Sequence, residues 1–98
     1  MIITKKIKED TLFFAPTGRL DTMTAAEFEQ ELVASLDAAK KLVLDLSDVA
    51  YISSAGLRVL LKVQKLMASK DGMKVTGANT MVMEVFVITG FADILTIE

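Results

Sequence analysis

The chain has 98 residues, 52% of them hydrophobic, with a formal net charge of -2 and neither cysteine nor histidine. That is enough for one hydrophobic core and no second domain, so residues 1–98 are read as a single domain. Disulfide and thiol chemistry are excluded, the commonest general base and transition-metal ligand is missing, and the charge balance without a basic cluster argues against direct nucleic-acid binding.

No apolar run approaches the ~18 residues needed to cross a bilayer, and Met1 to Lys8 lacks a signal-peptide layout, so the expectation is a cytoplasmic protein without membrane contact. The chain opens with Ile2, Ile3 and Ile7 among Thr4, Lys5, Lys6 and Lys8, a half-exposed first strand. Glu9 and Asp10 make a turn into a second strand over Thr11 to Thr17, antiparallel to the first because so short a link cannot cross over. Pro16 lacks an N–H, which predicts a sheet edge or a bulge there. Phe13 and Phe14 are adjacent and point to opposite faces, so the sheet is either covered on both sides there, the favoured expectation, or exposes one aromatic.

After Gly18-Arg19-Leu20-Asp21, Thr24 and Glu27 have the spacing of a capping box, and Ala25, Phe28, Leu32 and Leu36 line one helical face. Glu27, Glu29, Gln30 and Glu31 then form a solvated face, with early acids favoured by the helix dipole. Leu42, Val43, Leu44 and Leu46 form an apolar run expected of a strand covered on both faces, bounded by Ser47 and Asp48. A loop with Ser53 and Ser54 leads to a helix reaching about Ser69. Its apolar side is Leu57, Leu60, Leu61, Val63, Leu66 and Met67, and Arg58, Lys62, Gln64 and Lys65 lie opposite. A serine hydroxyl at that entry can cap the first turn, and free N–H groups there favour an anion.

Asp71 and Gly72 turn the chain into a short strand over Met73 to Gly77, parallel to the strand at Leu42 to Leu46 because a helix connects them. Asn79 or Thr80 caps a third helix that Gly90 stops, with Val82, Val85 and Phe86 facing the sheet. Ile94 to Ile97 ends the chain as a short strand. Met67, Met73, Met81 and Met83 are either core gap-fillers or part of an apolar surface around the last two helices. The fold class is α/β, a mixed sheet of four to five strands with about three helices.

Two stretches carry a resemblance. Gly18-Arg19-Leu20-Asp21 followed by Thr24-Ala25, and Ser53-Ser54-Ala55-Gly56-Leu57 opening a helix after a strand, are similar in order and content to the STAS domain of bacterial anti-sigma-factor antagonists. The resemblance covers nearly the whole chain, and the family places a helix where Met81 to Ile88 stand. It implies a transcription regulator acting by partner switching: the unmodified form binds an anti-sigma factor that is also a serine kinase, phosphorylation releases it, and a PP2C-type phosphatase resets it. Carried over, the phosphorylated serine is Ser54, and the partner surface takes in Asp21, Ser53, Ser54, Ala55, Gly56, Leu57 and Arg58. The signature Asp is Ser53 here and the second hydroxyl residue is Ala55. Ser53 is therefore a minor alternative acceptor, and a STAS binding or scaffold module regulated by abundance is the alternative function. No cofactor or metal is implied. A phosphoaspartyl or Mg²⁺ enzyme built on Asp45 and Asp48 is a distant alternative, because such a site needs acids converging from several strand ends and a positioned lysine.

Overall fold

The computed structural model describes residues 1–98. Strands β1 (Ile3–Lys8) and β2 (Thr11–Pro16) form an antiparallel hairpin. Next come β3 (Gly18–Leu20), helix α1 (Ala25–Leu36), β4 (Lys41–Asp45), β5 (Val49–Ile52) and helix α2 (Ser54–Met67). The chain ends with β6 (Met73–Thr76), helix α3 (Thr80–Thr89), a 3₁₀ turn over Phe91–Asp93 and β7 (Thr96–Ile97). The main sheet has the order β1-β2-β4-β6-β7, with β4 and β6 parallel as the connecting helix requires. A separate two-stranded sheet pairs β3 with β5, also in parallel. Neither of these two short strands is evident in the residue pattern.

The main sheet is covered on one face only. Leu12 and Phe14, Leu42 and Leu44, and Met73 and Val75 are buried under the helices, whereas the alternate residues Phe13, Val43 and Lys74 are half-buried or exposed. Both expectations of two-sided burial are therefore corrected. Leu42 to Leu46 belongs to a half-buried strand, and Phe13 is 42% exposed. Pro16 lies past the last β2–β4 pair with only β1 beside it, so although β2 is an interior strand its end is locally an open edge, as expected, and no ladder bond is required of Pro16 on that side.

Helix α1 packs on β2 and α2, α2 on β5 and β6, and α3 on β5. Phe14 of β2 meets Phe28 of α1 with ring centroids 5.9 Å apart and tilted by 56°, a favoured aromatic arrangement that seats the helix on the sheet. Phe28, Leu32 and Leu36 form the buried stripe of α1. In α2 the buried set is Gly56, Leu57, Val59, Leu60, Val63 and Met67, while Leu66 is 43% exposed. Lys70 donates to the carbonyls of Leu36 and Ala39, placing a cation where the dipole of α1 ends.

Helix α3 has both of its read boundaries. The Asn79 side chain accepts from the Val82 N–H at 2.8 Å and donates to the Val49 carbonyl at 3.1 Å, and Gly90 closes the helix at a φ of 82°. Val82 and Phe86 are buried, and Val85 is half-buried. Of the methionines weighed above, Met67 and Met73 are core, while Met81 is 54% exposed on α3. No helix is long and apolar enough to cross a membrane.

Candidate functional site

The pairing of β3 with β5 brings the two motif stretches together. Leu20 is the register partner of Ile52, and the Ser53 N–H donates to the Leu20 carbonyl at 2.8 Å. Two parallel strands emerge at the same end, so the Asp21 turn and the Ser53-Ser54 helix entry leave side by side despite their separation in sequence.

The Asp21 turn is tightly tied. Asp21 accepts from the Met23 N–H at 2.9 Å and from Arg19 Nε at 3.3 Å, while the Arg19 guanidinium lies 4.4 Å from the centre of the Tyr51 ring. The Thr24 hydroxyl donates to the Arg19 carbonyl at 2.6 Å and accepts from the Asp21 N–H at 3.1 Å. The capping box is thereby corrected: Thr24 occupies the cap position of α1, but its hydroxyl folds back into the turn and makes no bond to the helix amides. Asp21's carboxyl is held below its usual range, first by the Met23 N–H, which outweighs the opposing desolvation, and then by Arg19 and the Thr24 N–H.

Ser53 is the residue before α2, with extended backbone, and its carbonyl accepts from the Leu57 N–H at 2.9 Å. Its hydroxyl makes no cap bond. Ser53 Oγ is buried with no hydrogen-bond partner, so the backbone of Ser53 starts the helix and its side chain does not. Ser54 is the first helical residue and is exposed. The amides of this first turn have no acceptor further back along the helix, so the entry carries the partial positive charge of the dipole. Arg58 is one turn further on, exposed on the same helical face as Ser54, and is engaged in none of the ion pairs of the molecule.

Gly56 is buried where the helix comes closest to the small sheet. A Cβ there would lie 2.8 Å from Ile52 Cγ1, 2.9 Å from the Leu20 carbonyl oxygen and 3.0 Å from Leu20 Cβ. Glycine permits that approach. Leu57 is only 6% exposed, so two of the residues proposed for the partner surface, Gly56 and Leu57, shape the site from beneath and present little or no side chain to solvent. Ala55, Arg58 and Val59 of α2 line a shallow groove with Ala25, Ala26, Glu29 and Gln30 of α1. Of the seven residues expected at the partner surface, Ser54 and Arg58 are exposed and Asp21, Ser53 and Ala55 are half-buried, Ser53 with its hydroxyl turned inward. Arg19 and Tyr51 stand beside these residues, although the sequence motifs mark neither as a site residue; the tyrosine two residues ahead of the serine pair is the signal the sequence offers.

Asp45 and Asp48 do not converge on this end as a carboxylate pair. Asp45 accepts from the N–H and hydroxyl of Ser47, holding the turn after β4, and Asp48 is exposed in that turn.

The arrangement defines a small α/β domain that presents a helix entry at its surface, braced from below by a second, parallel strand pair. A family model described as the STAS domain matches residues 3–98. The chain is 39% identical over 82 residues to BtrV of Bordetella bronchiseptica, described as a candidate anti-sigma factor antagonist, spanning 82% of this chain and 71% of that protein. It is 30% identical over 82 residues to the anti-sigma-B factor antagonist of Bacillus subtilis, spanning 83% and 75%. The crystal structure of a Thermotoga maritima protein, also described as a candidate anti-sigma factor antagonist, superposes with a TM-score of 0.89 at 26% identity over 97% of this chain and 84% of that one. The chain belongs to the STAS domain family, among the anti-sigma factor antagonists.

Proposed function

We propose that this protein binds an anti-sigma factor that is also a serine kinase, through the surface around the α2 entry, and that phosphorylation of Ser54 releases it. A PP2C-type phosphatase then restores the binding form. The observation that carries the reading is the placement of Ser54, whose side chain is exposed at the first position of a helix beside the Asp21 turn. A kinase can reach such a hydroxyl without unfolding the domain. Free amides of the first turn and Arg58, one turn away, are suited to receive the phosphate, so the modified domain keeps its fold.

The switch then lies in the interface. If Ser54 is covered by the partner, a phosphate of about -1.5 to -2 charges must be desolvated there, and ~2.8 kcal/mol of that cost weakens binding about a hundredfold. Gly56 and Leu57 contribute from beneath by fixing where α2 begins. A second reading, a binding or scaffold module regulated by abundance alone, is favoured by one observation: Ser53 stands where the signature has Asp, with its hydroxyl turned inward and unpaired.

Incubation with ATP and the candidate anti-sigma kinase, followed by mass spectrometry of the Ser53-Ser54 peptide, separates the two. Phosphate on Ser54 is expected. Titration calorimetry is expected to give Ser54→Ala the affinity of the unmodified protein, with no release by ATP, and Ser54→Asp a much weaker affinity at a near-normal melting temperature. Equal affinities of the two variants would remove the switch, and an unfolded Ser54→Asp would make Ser54 structural.

A further inference from the structure

The face of the main sheet turned away from the helices is a continuous, charged and partly apolar surface. One register row crosses all five strands: Lys6, Phe13, Val43, Lys74 and Thr96. A second row, Lys8, Thr11 and Lys41, runs beside it. Lys5, on the other side of β1, pairs with Glu31 of α1, which confirms that the row through Lys6 lies on the uncovered face. Phe13 is 42% exposed at its centre, next to half-buried Val43 and Ala15.

Charge on this face is one-sided. Lys6, Lys8 and Lys41 are exposed and in no ion pair, and Lys74 is paired with Glu98. The one acid among the strand residues of the face is Asp45, already committed to Ser47. The chain as a whole carries -2, so the acids lie elsewhere, with Glu27, Glu29 and Glu31 on the helical side. An unpaired cationic rim around an exposed aromatic is complementary to one kind of surface, an apolar stripe flanked by carboxylates. From β1 to β4, the two strands that carry the unpaired lysines, the face spans two strand spacings, roughly 10 Å, about the diameter of one helix lying over Phe13 of β2. A single strand has no free ladder to join on a sheet face, so the complementary element is helical.

We propose that this open sheet face, centred on Phe13 and rimmed by Lys6, Lys8 and Lys41, docks an acidic amphipathic helix of a partner protein, separately from the α2 entry. Nucleic acid is disfavoured as the occupant because the face offers one aromatic for stacking and the chain is net acidic. A second copy of this chain would bring a cationic face against its own like.

The test is an NMR titration of ¹⁵N-labelled protein with a synthetic 18-residue helix of leucine, alanine and glutamate, the leucines on one face. A matched peptide with lysine in place of every glutamate and a single-stranded oligouridylate serve as comparisons. The acidic peptide is expected to shift the amides of Lys6, Phe13, Val43 and Lys74 and leave Ser54 to Arg58 unmoved. The Lys6→Glu/Lys41→Glu double variant and Phe13→Ser are each expected to weaken it at least tenfold; the lysine substitutions lie on the surface, so that variant carries the test if Phe13→Ser unfolds. No shift at millimolar acidic peptide, equal binding of the lysine peptide, or tighter binding of the oligouridylate to the same residues would each overturn the proposal. So would concentration-dependent sedimentation of the free protein that the lysine variant abolishes, because the occupant would then be a second copy.

Discussion

Replacing Gly56 by alanine sets two effects of opposite sign against each other. In a helix interior glycine is less favourable than alanine by about 1 kcal/mol, so on propensity alone Gly56→Ala stabilises. The added methyl, however, would stand 2.9 Å from the Leu20 carbonyl oxygen and 2.8 Å from Ile52 Cγ1. The carbonyl is backbone, and it is held by the Ser53 N–H at 2.8 Å, so it cannot yield without disturbing the β3–β5 pair. Overpacking of a well-packed site costs typically 1–3 kcal/mol, and a clash with fixed backbone belongs at the upper end. The expected net is a loss of about 1–2 kcal/mol, read as a fall in melting temperature of roughly 5–15 °C for a domain of this size. Thermal unfolding followed by circular dichroism measures it directly. Gly56→Val, with two further carbons, should lose more and should also bind the anti-sigma partner less well, because α2 and Ser54 are pushed outward. A Gly56→Ala protein that melts at or above wild type would refute the reasoning, since helix propensity would then outweigh a contact that the geometry makes too close.

Three further expectations bear on the same end of the molecule and on its opposite cap. Ser53→Ala should change stability by less than about 0.5 kcal/mol in chemical denaturation, because the hydroxyl makes no cap bond, whereas Asn79→Ala should cost about 1–2 kcal/mol through loss of the Val82 cap and the bond to Val49. A cost of 1 kcal/mol or more at Ser53 would show that its hydroxyl does cap α2. For Asp21 the folded carboxyl lies below its unfolded value, so its contribution is present above about pH 3.9 and is lost as pH falls through the folded pKa. The stability difference between wild type and Asp21→Asn, from urea unfolding at pH 5 and pH 2.5, should therefore shrink at the lower pH; a difference that grows would contradict the depressed carboxyl.

Elements with their own local signals were legible in the residues. Asn79 and Gly90 bracket α3 because one side chain bonds an amide three residues on and one glycine takes a left-handed turn, each confined to its own end of the helix. The Glu9-Asp10 turn forced an antiparallel hairpin, and the helix between the strands at Leu42 and Met73 forced a parallel pair. The motif at Ser53 to Leu57 identified the family and the helix entry.

What those residues left open was decided by contacts between distant parts of the chain. The strands β3 and β5 are three and four residues long and exist because they pair with each other, so no local pattern marks either. That pairing sets Asp21 beside Ser53 and presses α2 down until only a glycine fits at position 56. The inward turn of Ser53 Oγ and the recruitment of the Thr24 hydroxyl into the Asp21 turn follow from the same packing. Phe13 and Phe14 are indistinguishable as residues, and the apolar run at Leu42 reads as buried on both faces. Which face is covered depends on where the helices lie, and hydrophobic content fixes the area a chain can bury without fixing the side on which it does so.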